Sequence, residues 1–247
     1  MIITYIALLK INRINMRKLT YLALCAAIIT IASCSKKDPT PTPAPVTPAA
    51  KVKFINTCLN AASLSVQIND VTLTTVPALA FLGISNYVNV TPGASVKTSF
   101  IFPNTVSPLI TPVPVLSYTD GSYYSVFAVG SVSTPSIVFT SDNVATPASG
   151  MFNVRMINLS LDSLSYDFYV APAGRLDSNV TYKVTTPFRQ IAAGDRNVII
   201  QDPHDVQNQV TLNAQHFEAG KAYTILVTGS KNFANEAALK ATVIANN

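Results

Sequence analysis

After about the first fifty residues, apolar and polar side chains alternate along most of the chain, the period expected of β-strands with two different faces. Val52 and Phe54 share one face of such a strand, with Lys53 and Ile55 on the other. The stretch from Tyr124 to Val129 is apolar at nearly every position, which predicts a central strand covered on both faces. The alternation therefore predicts an all-β protein.

Turn signals separate these runs roughly every ten residues. We predict structural roles in turns for four glycines, and a helical turn only between Asn232 and Lys240. Seven or so short strands in each half indicate an antiparallel β-sandwich of immunoglobulin-like type. The four glycines are Gly93, Gly121, Gly194 and Gly220.

Three blocks of sequence occur twice in the same order. Lys53 to Asn56 matches Arg155 to Asn158 at an offset of 102, and "GSYYSVFAVGS" matches "GKAYTILVTGS" at an offset of 99. The third block places Gly93 on Gly194. A nearly constant offset indicates duplication, so we predict tandem sandwich domains over residues 51–148 and 149–247.

Both halves carry a glycine followed by a tyrosine at the entry to an apolar strand, which gives Tyr124 and Tyr223. A tyrosine at this point of an immunoglobulin-like sandwich can pack its ring inside while its hydroxyl binds a nearby loop. We expect that structural role for both.

The motifs "VKFIN", "VTPG" and "GSYYSVFAVG", with their counterparts in the second half, resemble the DUF4397 family of bacterial secreted proteins and lipoproteins. The second half departs from the pattern because Ala192-Ala193-Gly194 lacks the proline. The resemblance implies a β-rich extracytoplasmic module in two copies, and it implies no catalytic residues.

The first 33 residues have the features of a signal peptide. Arg17 and Lys18 precede a 14-residue hydrophobic run from Leu19 to Ala32, which is short for a membrane span. Met16 is the expected true start, and an unusually long signal peptide is the alternative. Ile31 to Cys34 resembles a bacterial lipobox, which implies cleavage between Ser33 and Cys34 and lipidation of the Cys34 thiol.

Residues 34–50 form the predicted lipidated linker. Ser35 after the lipidated cysteine favours the outer membrane over retention at the inner membrane, and the attached protein can face the periplasm or the cell surface. The prolines favour an extended polyproline II spacer. They are Pro39, Pro41, Pro43, Pro45 and Pro48.

The formal net charge of +5 comes mostly from the leader. Four of the 17 basic residues precede Cys34, which leaves 13 basic side chains against 12 acidic ones. Because no basic stripe remains to neutralise phosphates, we do not expect nucleic-acid binding.

Candidate chemistry is sparse, and we expect no cofactor, no resident metal and no enzyme activity. The cluster Asp202, His204 and Asp205 includes possible calcium ligands, but Pro203 favours a polar hairpin turn. Cys58 matches Ser160 of the other half, which favours a buried thiol over a reactive one. Asp162-Ser163-Leu164 is a weak candidate for O-glycosylation at Ser163.

The sequence thus indicates a lipid-anchored envelope protein that acts as a non-catalytic binding, adhesion or structural module with an unknown protein or glycan partner. A glycan-binding accessory lipoprotein and a hydrolase using loops of the second half remain open alternatives. Five tyrosines could form a contact face for proteins or sugars. These are Tyr118, Tyr123, Tyr166, Tyr169 and Tyr182.

Overall fold

Two β-sandwiches follow one another along the chain. The structure is a computed structural model that describes residues 47–105, 107–162 and 165–246. The described residues form seventeen strands, and Asn235–Ala237 forms a 3₁₀ helix within the segment where the sequence indicated a helical turn. The fold is all-β, as predicted.

The first sandwich has two sheets, with strand orders β5-β1-β8-β9 and β3-β2-β6-β7, and β4 pairs with β2. Alternate residues of β1 and β8, such as Phe54 and Val126, point between the sheets and are fully buried there. The strands are β1 Ala50–Asn56, β2 Ser63–Ile68, β3 Val71–Thr72, β4 Leu79–Ala80, β5 Val88–Val90, β6 Gly93–Ile101, β7 Val115–Tyr118, β8 Tyr123–Ser131 and β9 Thr134–Ser141.

The second sandwich repeats this arrangement with sheets β13-β10-β16-β17 and β12-β11-β14-β15. Its core contains Phe152 stacked on Phe217, with ring centroids 4.5 Å apart. The strands are β10 Met151–Ser160, β11 Tyr166–Val170, β12 Gly174–Val180, β13 Arg189–Ala192, β14 Gly194–Asp202, β15 Asp205–Phe217, β16 Ala222–Gly229 and β17 Lys240–Ala245.

The sheets are antiparallel except for one central pair in each sandwich. β1 pairs with β8 in parallel, and β10 pairs with β16 in parallel. A parallel pair needs a long connection between its strands, and here the whole opposite sheet lies between the paired strands in the sequence. The repeated parallel pair shows that both halves share one topology.

The two sandwiches pack against each other through the sheets that contain these parallel pairs. Residues of β1 and β8 that point away from the first core meet residues of β10 and β16 that point away from the second. Residues Thr47–Asn247 accordingly form one compact unit. The buried apolar cluster at this contact contains Ile55, Phe127, Val129, Val138, Ile157, Leu159, Leu226 and Ile244.

Candidate functional site

The interface between the sandwiches buries an ion pair. Arg155 on β10 donates through Nη2 to Asp142, which directly follows β9, and their side chains are 3% and 0% exposed. The second carboxylate oxygen of Asp142 accepts hydrogen bonds from the hydroxyls of Tyr87 and Ser125, each at 2.6 Å. A buried charge pair is tolerated when its remaining polar atoms are satisfied, and both oxygens of Asp142 are.

Arg155 donates further hydrogen bonds within the same interface. Its Nε donates to Thr224 at 3.0 Å, and its Nη1 donates to the carbonyl oxygen of Ser141 at 2.6 Å. Its guanidinium lies 4.5 Å from the centroid of the Phe188 ring. Burial lowers the pKa of Arg155, the charge of Asp142 opposes that shift, and an arginine remains charged at neutral pH.

Lys53 on β1 occupies the position in the first sandwich that Arg155 occupies in the second. Its ammonium lies 4.3 Å from the centroid of the Tyr87 ring and donates to the backbone carbonyl of Ala245 in the other sandwich. Lys53 is only 6% exposed, and no carboxylate of the described chain forms an ion pair with it. Burial lowers its pKa, and the charge of Asp142 opposes that effect.

The two cations have corresponding surroundings, which differ in charge at one position. Tyr87 corresponds to Phe188 beside its cation, and Ser125 corresponds to Thr224. Asp142 and Asn246 each follow the last strand of their sandwich. The backbone N–H of Asp142 donates to the carbonyl oxygen of Tyr123, and that of Asn246 donates to the carbonyl oxygen of Ala222. The arrangement thus places a carboxylate beside Arg155 and a neutral amide at the equivalent position near Lys53.

Lys53 and Asn246 line a crevice of about 320 Å³ between the two sandwiches. The aromatic ring of Tyr87 and the side chains of Ile84, Val243 and Ile244 contribute apolar surface to it. Two residues with hydrogen-bond donors therefore border a small, partly apolar space.

A larger crevice of about 550 Å³ lies elsewhere between the sandwiches. Its lining is dominated by small residues, with Phe81 and Leu59 on one side and Ala234 and Ala237 on the other. Among the residues that line it in the described part of the chain, none has an ionisable side chain.

The acidic and histidine cluster of the second half forms a turn between β14 and β15. Asp202 accepts hydrogen bonds from the backbone N–H of His204 at 2.9 Å and from the Asn208 side chain at 3.1 Å. Asp205 accepts one from the N–H of Gln207. In the part of the chain that the structure describes, no three His, Cys, Asp or Glu residues are grouped to hold a metal ion.

The two histidines lie at opposite ends of β15. His204 precedes its first residue, and His216 lies near its last, where it contacts exposed Asp195 at 2.7 Å. A strand rises about 3.3 Å per residue, so roughly 40 Å separates them. They cannot serve one catalytic centre within a single copy of the chain.

Cys58 lies two residues after the end of β1, in the core of the first sandwich, and is 0% exposed. Its Sγ lies 3.9 Å from the carbonyl oxygen of Leu59. Burial raises the pKa of the thiol to about 11. Since the thiolate is the reactive form of cysteine, Cys58 is chemically quiet near neutral pH.

The two strand-entry tyrosines bind the loops that precede them. The hydroxyl of Tyr124 accepts from the N–H of Thr119 at 3.3 Å, and that of Tyr223 accepts from the N–H of Glu218 at 3.1 Å. The loops turn at Gly121 and Gly220, whose φ angles of 70° and 82° favour glycine. Gly194 also has a positive φ, whereas Gly93 opens β6 without one.

The five tyrosines proposed as a contact face do not form one. Tyr118 and Tyr166 are core residues, 2% and 0% exposed, while Tyr123 is 37% exposed. The hydroxyl of Tyr118 hydrogen-bonds Thr98 inside the first sandwich at 3.0 Å. That expectation was wrong because the ring is needed in the core, where alternation cannot distinguish a buried tyrosine from an exposed one.

Several predicted features lie outside the described residues. These are the signal peptide with Met16, the cleavage site at Ser33 and Cys34, residue Ser35, the proline spacer up to Pro45, and Ser163. Among the described residues, no helix has the length and hydrophobicity needed to cross a membrane.

Sequence reasoning missed the buried network of Lys53, Asp142, Arg155 and Asn246. One signal was available, because a basic residue stands inside an apolar strand at the same position of both halves. Such a residue in a strand buried on both faces indicates a buried cation, which needs a partner.

Comparison with known proteins agrees with the duplication. The model of the family described as "Domain of unknown function (DUF4397)" matches residues 50–169 and 153–247. No curated protein matches the chain. A solved structure described as a "putative cell adhesion protein" from Bacteroides uniformis ATCC 8492 is 11% identical, with a TM-score of 0.25, over 81% of this chain and 98% of that one. On the family match, which spans both sandwiches, the chain belongs to the DUF4397 family and carries two copies of its domain.

Proposed function

We propose that this protein is a lipid-anchored protein of the bacterial cell envelope whose paired sandwiches act as a non-catalytic binding or adhesion module. The observation that carries the proposal is the packing of the two sandwiches through their inner sheets. This packing places Arg155, Asp142 and Lys53 inside the protein, where they hold the two halves together. This buried cluster of charged side chains therefore supports a structural role.

The same packing leaves the other two sheets as outer surfaces. In these sheets β7 and β15 are edge strands, and each lacks a second neighbour among the described strands. Exposed apolar side chains occur on both, with Val115 56% and Val206 58% exposed. An edge strand with free backbone groups is a common surface for adding a strand from another chain.

The N-terminal sequence supports anchoring at a membrane. Ile31-Ala32-Ser33-Cys34 follows a short hydrophobic run, and the proline-rich segment after it would hold the sandwiches away from the lipid headgroups. Stable anchoring requires more than one acyl chain. Ser35 is the residue that favours delivery to the outer membrane.

The Cys34→Ser substitution is expected to abolish incorporation of labelled palmitate and to release the protein from the membrane fraction, because only a thiol accepts the diacylglyceryl group. Metabolic labelling of cells followed by membrane fractionation measures both effects. The matched control is Cys58→Ser, which changes the buried thiol and should keep the label. Label that persists in Cys34→Ser would contradict the anchor.

The same strains test the binding role. Chemical cross-linking of intact cells should give a discrete product with the anchored protein and much less with the released Cys34→Ser form. Brief protease treatment beforehand distinguishes a surface-exposed protein from one facing the periplasm. Turnover of a polysaccharide or ester by the purified protein, lost on His204→Ala or His216→Ala, would contradict the non-catalytic assignment.

A further inference from the structure

The crevice between the sandwiches contains a buried cation that forms no ion pair with the described residues. The Lys53 ammonium has three donors, and the structure assigns one of them to the carbonyl of Ala245. Its counterpart Arg155 is paired with Asp142. The network thus holds two cations and one carboxylate among the described residues, an excess of one positive charge in a buried setting where charges are normally balanced.

Asn246 also lines this crevice and carries a second, buried donor. The residue is 3% exposed, and its Nδ2 has no hydrogen-bond partner in the described chain. Its Oδ1 accepts from the Thr224 hydroxyl at 3.0 Å, and that hydroxyl itself accepts from Nε of Arg155. In this arrangement the Thr224 hydroxyl donates its own proton to Asn246, which leaves Nδ2 as the group without a partner among the described residues.

The crevice also offers apolar contact beside these donors. Ile84 is 39% exposed at its rim, and Val243 and Ile244 lie along its wall. Its volume of about 320 Å³ lies at the lower end of the range for small-molecule sites. A ligand that fits is therefore small and carries a short apolar group.

We propose that this crevice binds a small organic carboxylate, whose oxygens accept from Nζ of Lys53 and Nδ2 of Asn246 while a short aliphatic group lies against Ile84 and Val243. One carboxylate brings one negative charge and so balances the network. A phosphate carries more charge and more acceptor oxygens than two donors satisfy. The ligand occupies the place that the side chain of Asp142 holds beside Arg155.

The proposal goes beyond the anchoring and binding roles and is independent of both. It assigns a ligand to the interface between the sandwiches, whereas the proposed adhesion surfaces are the outer sheets. Loss of the lipid anchor would leave the crevice unchanged.

Titration of the full-length protein in a non-ionic detergent tests the proposal, with isovalerate as the probe and isovaleramide as its uncharged analogue. Calorimetry measures affinity, and lysine-labelled NMR spectra report on Lys53 itself. Isovalerate should bind saturably and shift the Lys53 signal, and isovaleramide should bind at least about tenfold more weakly, as expected when a charged hydrogen bond is lost.

Two variants and one control identify the site. Lys53→Gln should weaken isovalerate binding at least about tenfold. Asn246→Asp should do the same in a folded protein, since it supplies the missing carboxylate from within the chain. Lys97→Gln removes an exposed lysine, 54% exposed at its side chain, and should bind as the wild type does. The proposal fails if isovalerate does not saturate, if the amide binds equally well, or if Asn246→Asp binds isovalerate with wild-type affinity.

Discussion

The Asp142→Asn substitution is expected to lower the free energy of unfolding by about 3–5 kcal/mol, because it leaves the buried charge of Arg155 without its partner. The carboxylate of Asp142 also accepts from the hydroxyls of Tyr87 and Ser125. The NH₂ group of an asparagine at this position would face the two hydroxyls and could not accept their hydrogen bonds. Denaturant unfolding followed by circular dichroism measures the change.

A matched control shows how much of the effect is due to burial of the ion pair and how much to loss of a charge alone. Asp70→Asn breaks an ion pair with Lys97 in which the two side chains are 64% and 54% exposed, and it should cost at most about 1 kcal/mol. Replacing both partners, as Asp142→Leu with Arg155→Met, should recover much of the loss, since a buried pair can be exchanged for apolar packing. Equal effects of Asp142→Asn and Asp70→Asn would contradict the buried network.

The Phe127→Ala substitution should destabilise the protein by about 3–5 kcal/mol through loss of apolar burial and a cavity between the sandwiches. Phe127 lies on β8, is 1% exposed, and packs in the cluster that joins the two halves. Its ring contributes to the contact between sandwiches and not to either core. We therefore expect the two halves to unfold less cooperatively as well, measured by comparing tyrosine fluorescence with circular dichroism.

Phe233→Ala is the control for that prediction because Phe233 is 52% exposed. Surface substitutions of this kind usually change stability by about 0.5 kcal/mol or less. If Phe127→Ala has an effect of that size, the contact between the sandwiches does not contribute to their stability.

The sequence predicted the sandwiches well because strand alternation is a local property. Val52 and Phe54 do lie in a core, and the strand from Tyr124 to Val129 is central and covered on both faces. The duplicated motifs placed equivalent strands at equivalent positions, and the family match agrees with them. Local patterns report which face of a strand is apolar, and that information was sufficient for these elements.

What packs against each face of a strand could not be predicted from the sequence. Lys53 and Ile55 share the second face of β1, where alternation cannot tell solvent from a neighbouring domain, and the structure packs that face on the other sandwich. The parallel pairing of β1 with β8 depends on residues some seventy positions apart. Long-range pairing of this kind leaves no local signature in a single sequence.

The candidate site residues also fall into two groups, those placed by local sequence and those placed by the packing of the two sandwiches. The turn at Asp202 was predicted from Pro203 and its polar neighbours, which act locally. The pairing of Arg155 with Asp142 required knowledge of how two domains pack, because the two residues belong to different sandwiches. Asn246 could be recognised as the counterpart of Asp142 only once both strand ends were placed.

If the two sandwiches form one cooperative unit, differential scanning calorimetry of the purified full-length protein should show them unfolding together. For the roughly 200 residues that the structure describes, we expect one transition of about 140 kcal/mol whose calorimetric and van't Hoff enthalpies agree. Two separable transitions of roughly 70 kcal/mol each, both unaffected by Phe127→Ala, would contradict this cooperativity.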